Sequence, residues 1–191
     1  DGHQGHDRLD GDTRMKDRLI EILKERSVRT GHFTLASGKT SDLYVDARQT
    51  TLSPEGATVL AKLILEHLHP DAVGIGGPVT GADPITGAVI THSWQQGRPL
   101  HGFMVRKEAK GHGAGNQVEG RFGLPDGAKV TMIEDTVTTG GSLLKAIKAV
   151  EAAGLEVVQV LCVVDRSEGA AHIFSDAGYT LEALVTRADI T

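Results

Sequence analysis

Downstream of residue 70, short apolar runs alternate with segments whose apolar residues recur at helical spacing. The runs lie at 72–75, 100–105, 129–133, 157–164 and 179–185, and helical patterns fall at about 84–96, 142–153 and 169–176. Parallel strands cannot be joined by a tight turn, so strands separated by helices imply crossovers, each laying its helix on a face of the sheet. The expected fold class is α/β, an open, mainly parallel sheet flanked by helices. Gly97, Gly154 and Gly178 each stand just past a predicted helix, where a left-handed closing residue favours glycine.

Ahead of the alternation, a small N-terminal hood is expected, mainly residues 15–50. Met15, Leu19, Ile22 and Leu23 follow helical spacing, with Gly31 beyond them as a stop. In 33–48, FTLASGKTSDLYVDAR, two short apolar runs flank Ser37, Gly38 and Lys39, which is turn chemistry between paired strands. A second helix is capped by Ser53, has Pro54 in its first turn and buries Val59, Leu60, Leu63, Ile64 and Leu68, with His67 and His69 closing it. Residues 1–14 carry no apolar periodicity and read as a tag or disordered extension with His3 and His6 solvated, leaving 15–191 as a single domain.

Composition narrows the function classes. A net charge of −5, with one Trp, two Tyr and four Phe, provides no basic, base-stacking surface, so no nucleic-acid partner is expected. No apolar run approaches the ~18 residues of a membrane span and no secretory pattern opens the chain, so a cytoplasmic protein with no membrane partner is expected. The single cysteine, Cys162, lies in an apolar run and reads as a small core residue. Glycine is in surplus, 24 of 191 residues, about one in eight against an ordinary ~7%. With 39% hydrophobic and 24% charged residues the chain is globular, so that surplus must sit in particular loops.

Ligands of open parallel sheets bind beyond the carboxyl ends of the strands. The segment KVTMIEDTVTTGGSLLKAI is the most unusual there: an apolar strand ends in Glu134 and Asp135, then come Thr136, Val137, Thr138, Thr139, Gly140, Gly141 and Ser142, then a helix. Glycines let amides turn inward, and with threonine hydroxyls and a helix N-terminus they make a monophosphate cradle. The carboxylates would repel a phosphate but suit vicinal hydroxyls, or a metal held through water. Sugar hydroxyls beside a phosphate describe a ribose 5-phosphate. A helix merely capped by Ser142 would explain the cap but not the paired carboxylates, the threonines and the diglycine. A Walker A loop is excluded, since no Gly-Lys-Ser/Thr follows, and the glycine spacing fails the dinucleotide fingerprint.

Three further segments carry chemistry. In 106–120, RKEAKGHGAGNQVEG, Arg106, Lys107 and Lys110 stand against Glu108, with His112 adding charge when protonated. Such a glycine-rich cationic loop can close over a polyanion and exclude water. In VGIGGPVTGADPI a strand end is followed by Gly76, Gly77, Pro78, Thr80 and Gly81, which suits either backbone approach to a ligand or an ordinary strand-to-helix turn. Arg166 directly follows the strand formed by the fourth run and Asp165, and is either a partner of Asp165 or Glu168 or a bidentate fork for a carboxylate.

The 134–142 segment resembles the phosphoribosyl pyrophosphate (PRPP) motif of the type I phosphoribosyltransferases. The string Arg-Lys-Glu-x-Lys-x-His-Gly resembles the catalytic loop of orotate phosphoribosyltransferases, and the likeness extends over nearly everything from Met15 onward. It implies transfer of the 5-phosphoribosyl group from PRPP to orotate in pyrimidine (UMP) biosynthesis, with Mg2+ as cofactor, held mainly through PRPP and by Asp135 via water. It further implies that Glu134 and Asp135 meet the ribose hydroxyls and that Thr136, Val137, Thr138, Thr139, Gly140, Gly141 and Ser142 wrap the 5-phosphate. Arg106, Lys107, Lys110 and His112 would contact the pyrophosphate end, with Lys110 steadying the leaving group. Thr138 and Arg166 would contact orotate. The 106–116 loop would act across subunits, which implies a homodimer. Two departures stand out: Val79 and Thr80 replace a Tyr-Lys pair common in the family, and Ala36 stands where some members place a PRPP-touching lysine, a role either lost or passed to Lys39. The rival expectations are a phosphoribosyltransferase for another base and a PRPP-sensing, nucleic-acid-binding regulator of the same fold.

Overall fold

The computed structural model describes residues 4–34, 38–111 and 117–191, with side chains from residue 11 onward. Helix α1 (Gln4–Arg26) leads into an antiparallel pair, β1 (Val28–Thr34) and β2 (Thr40–Val45), then a single turn α2 (Arg48–Thr51) and α3 (Pro54–His67). There follow β3 (Gly74–Pro78), α4 (Asp83–Gln95), β4 (His101–Val105), β5 (Val118–Glu119), β6 (Lys129–Val137) and α5 (Gly141–Ala152). The chain closes with β7 (Glu156–Asp165), α6 (Ala170–Asp176), β8 (Leu181–Thr186) and α7 (Arg187–Ile190).

The main sheet has the order β5-β4-β3-β6-β7-β8, and every neighbouring pair is parallel except β4 with the short edge strand β5. This is the expected open α/β sheet, with β1 and β2 as a separate hood. The chain steps from β3 out to β4 and then resumes on the other side of β3 with β6. Such a reversal sends the flanking helices to opposite faces and opens a crevice at the carboxyl ends of β3 and β6. Side-chain alternation along the strands divides the interior accordingly. Ile133, Leu161 and Val163 pack with Leu19, Leu60, Ile64 and Val89 of α1, α3 and α4. Met132, Val160 and Cys162 pack with Leu143, Ile147 and Val150 of α5 and Phe174 of α6. Each fully buried aliphatic side chain favours the folded state by about 1.5–3 kcal/mol.

Several expectations hold at the level of single residues. Ser53 Oγ accepts the Gly56 amide at 3.1 Å and caps α3, and Gly97, Gly154 and Gly178 are left-handed, with φ of +75°, +89° and +87°. Cys162 is buried. Others need correction. Helix α1 runs back past Met15 to Gln4, where Asp12 comes within 3.6 Å of His67 at the end of α3. Gly31 lies inside β1, where the register shifts between Thr30 and Phe33; the end of α1 is tied by Ser27 instead, whose amide bonds the Leu23 carbonyl and whose hydroxyl meets Thr50 Oγ1 at 2.7 Å. Strand β6 continues through the acidic pair to Val137 because β7 pairs alongside it as far as Asp165. Gly76 and Gly77 belong to β3 rather than to a loop. A Cβ at Gly76 would strike the Phe103 carbonyl, and one at Gly77 the Ile133 carbonyl, so these two glycines serve the close approach of strands. Among the described residues no helix is long and apolar enough to cross a membrane.

Candidate active site

The crevice predicted by the strand reversal is where the chemistry-bearing segments converge. On its β6 side, a small cavity of about 160 Å³ is lined by Glu134 and by residues 136–143. The turn into α5 closes through Gly140, left-handed at φ +90°, where a Cβ would stand 2.6 Å from the Phe174 ring. Gly140 is therefore the N-cap of α5, and Ser142 lies inside the helix. No side chain caps α5, so its first amides remain available to an anion.

Glu134 is 8% exposed, and its Oε1 accepts the Asp135 amide at 3.1 Å. Burial, and after it the charge of Asp135, pushes the Glu134 carboxyl up to about 8. Near neutrality Glu134 therefore keeps its proton. Asp135 Oδ1 accepts the Thr136 amide at 2.6 Å, and Thr136 Oγ1 is buried with no hydrogen-bond partner. Across the crevice, the Asp135 carboxylate abuts Gly81. The Val79–Thr80 peptide leading to that glycine is cis.

Arg106 and Lys107 follow β4. With Pro78, Gly141, Ser142 and Lys145 among their neighbours they line a cavity of about 380 Å³, which puts them beside the start of α5 in their own chain. They also line an adjoining cavity of about 550 Å³ with Thr80, Asp83, Glu108 and Glu119. The loop is less cationic than its first residues imply, since Arg106 Nε donates to Glu119 Oε1 at 2.6 Å as the segment returns in β5. Lys107 and Lys110 make no ion pair among the described residues. His112 and Ala36 lie outside the described residues. Lys145 is the cation that the sequence analysis missed; its position one helical turn beyond Gly141 was the signal that could have found it.

Arg166 is 6% exposed and does more than pair locally. Its Nη2 donates to Ser41 Oγ at 3.1 Å and to the Leu43 carbonyl at 3.0 Å, both on β2, while Nε stands 3.4 Å from Glu168 Oε1 without hydrogen-bond geometry. The structure does not bring Lys39 into the β6 cavity. It lines a separate hood cavity of about 440 Å³ with His32, Asp42, Glu168 and Arg187.

Among the described residues no group of three or more His, Cys, Asp or Glu side chains could hold a metal ion. The Asp135 carboxylate supplies oxygen donors of the type a divalent cation prefers.

The phosphoribosyl transferase domain model matches residues 57–182. An orotate phosphoribosyltransferase of Rhodopirellula baltica is 43% identical over 178 residues, covering 90% of this chain and 91% of that protein. Among solved structures, the orotate phosphoribosyltransferase of Mycobacterium tuberculosis H37Rv superposes with a TM-score of 0.81 at 38% identity, covering 92% of this chain and 98% of that one. The same enzyme solved with PRPP superposes with a TM-score of 0.77 at 34% identity, with the same coverage of 92% and 98%. The chain belongs to the orotate phosphoribosyltransferase family.

Proposed function

We propose that this cleft transfers the 5-phosphoribosyl group of PRPP to orotate, giving orotidine 5-monophosphate and pyrophosphate, the pyrimidine-forming reaction of its family. The observation that carries the residue assignment is the convergence, at one strand reversal, of the uncapped start of α5, the Glu134–Asp135 pair and the cations Arg106 and Lys107. The 5-phosphate is received by amides and hydroxyls of residues 136–142. Asp135, tethered by the Thr136 amide, accepts from a ribose hydroxyl. Glu134, protonated near neutrality, adds a second polar contact without a second full charge.

The reaction breaks the bond between the anomeric carbon and the pyrophosphate oxygen and forms one from orotate N1 to the same carbon, through a centre of oxocarbenium character. Orotate arriving with N1 deprotonated needs no general base. Charge gathers on the departing pyrophosphate, which faces Arg106, Lys107 and the approaching Lys110. Asp135 is the residue that would hold a PRPP-bound Mg2+ through water, and that ion would add further neutralisation. The Arg166 guanidinium, at the hood side, receives the orotate carboxylate with Thr138 alongside.

The protein acts as a homodimer in the cytoplasm, with the part of the 106–116 loop from Lys110 onward, His112 included, reaching the partner's site. Arg106 and Lys107 serve their own chain. A buried arginine at the hood favours a carboxylate-bearing base over adenine, hypoxanthine or uracil. The test follows orotate absorbance with PRPP and Mg2+ present or singly omitted, alongside those bases. Orotate should be consumed only in the complete mixture, and no PRPP-dependent loss of orotate would overturn the assignment.

A further inference from the structure

Arg166 and Arg187 directly follow β7 and β8, and since Asp165 pairs with Thr186 the two arginines occupy the same step of adjacent parallel strands. Both reach over to the hood. Arg166 Nη2 donates to Ser41 Oγ and the Leu43 carbonyl, and Arg187 Nη2 donates to Asp42 Oδ1 at 2.6 Å. Three successive residues of β2 are thereby pinned by two side chains from the sheet edge. Arg187 is itself well seated: the Thr186 amide and hydroxyl both bond Asp189 Oδ2, at 2.8 and 3.1 Å, closing a capping box at the start of α7. Lys16 of α1 stands 3.9 Å from the same carboxylate oxygen.

The Asp42 side chain is 76% exposed, and an ion pair so open to water adds little to stability. Its placement gives it another use. Asp42 sits between the two residues that receive Arg166, so any slip of β2 along the sheet edge would redirect a guanidinium that has few other restraints. Arg166 is nearly buried, and its Nε has no hydrogen-bond partner. A buried donor held in that state is satisfied when a ligand supplies the acceptor.

We propose that the Asp42–Arg187 ion pair is a positioning clamp that fixes β2 against the ends of β7 and β8, so that Arg166 presents its remaining N–H donors to the carboxylate of orotate. The clamp touches no substrate and acts through Arg166. It rests on the reading above, that Arg166 binds that carboxylate.

Steady-state kinetics on both substrates test it, using Asp42→Asn, Arg187→Gln, the charge-reversed double variant Asp42→Arg with Arg187→Asp, and Arg166→Gln as the reference. Each single clamp variant should raise KM for orotate about tenfold through misplacement of the fork, while kcat and KM for PRPP stay within about twofold of the parent. The double variant should recover most of the orotate KM. The clamp is overturned if either single variant keeps the parental KM for orotate, if both substrates lose affinity together, or if charge reversal restores nothing. Arg166→Gln separates the two levels. If it keeps the parental orotate KM, the Arg166 assignment has failed and the clamp with it. If it loses orotate while the clamp variants do not, the clamp alone has failed.

Discussion

The Asp135 carboxylate lies so close to the Gly81 backbone that a Cβ built there would stand 2.6 Å from Oδ1. The loop after β3 and the motif in β6 thus meet at the strand reversal, and the position of the carboxylate depends on both. Gly81→Ala should push Asp135 aside while leaving the core untouched. Catalytic efficiency toward PRPP is expected to fall about 100-fold, the scale of a displacement near 1 Å, with thermal unfolding close to that of the parent. Kinetics and a melting curve check it; unchanged efficiency would dissociate Gly81 from the site.

Glu134 predicts a pH dependence of stability. Its folded value, about 8, lies above the ordinary 4.5, so between those values the folded protein keeps a proton that the unfolded chain has lost. This contribution is fully present below the ordinary value and is lost as pH rises through the folded one. Urea midpoints of the ligand-free protein should therefore decline from about pH 5 to pH 8 more steeply in the parent than in Glu134→Gln, which cannot ionise. Parallel profiles would show that Glu134 titrates at its ordinary value.

The glycines separate into structural and functional kinds by substitution. Gly77→Ala drives a methyl group into the Ile133 carbonyl between two central strands. A loss of about 3 kcal/mol is expected from overpacking of that kind, seen as a melting point lower by about 6–12 °C. Gly141→Ala meets nothing within 4 Å, so its melting point should match or exceed the parent's. Loss of PRPP affinity in that variant would then report on the cradle and not on folding.

Mixed dimers distinguish cations that act at home from those that act across. Lys110→Ala alone should lower turnover about 100-fold, the scale of removing one charge-stabilising donor. Combined in heterodimers with Asp135→Asn, it should regain activity, because one of the two sites then has both groups intact. Lys107→Ala combined with Asp135→Asn should regain none, since Lys107 lines the cleft of its own chain. Recovery with Lys107→Ala, or its absence with Lys110→Ala in verified heterodimers, would reverse that assignment.

Much of the site was legible in the sequence because its parts are contiguous. Residues 134–142 form one strand end, one turn and one helix start, and that order alone describes a phosphate cradle beside two carboxylates. The cation count in the 106–120 loop misled because it set only Glu108 against the three cations, whereas Glu119 of the same segment returns antiparallel in a strand of two residues and takes Arg106. Lys145 was missed for a similar reason, as one lysine on an ordinary amphipathic helix.

By itself the sequence determined the α/β alternation, the caps at Ser53, Gly97, Gly154 and Gly178, and the candidate chemistry of each segment, since periodicity, capping and motif spacing are short-range properties. Only the tertiary structure decided that Gly76 and Gly77 serve strand packing while Gly81 faces Asp135, that Lys39 belongs to the hood cavity, and that Arg166 and Arg187 grip the same strand. Those outcomes depend on strand order and register. Arg187 meets Asp42 across 145 positions of chain because β8 ends beside β7 and both ends face the hood, a distance over which no local pattern carries information.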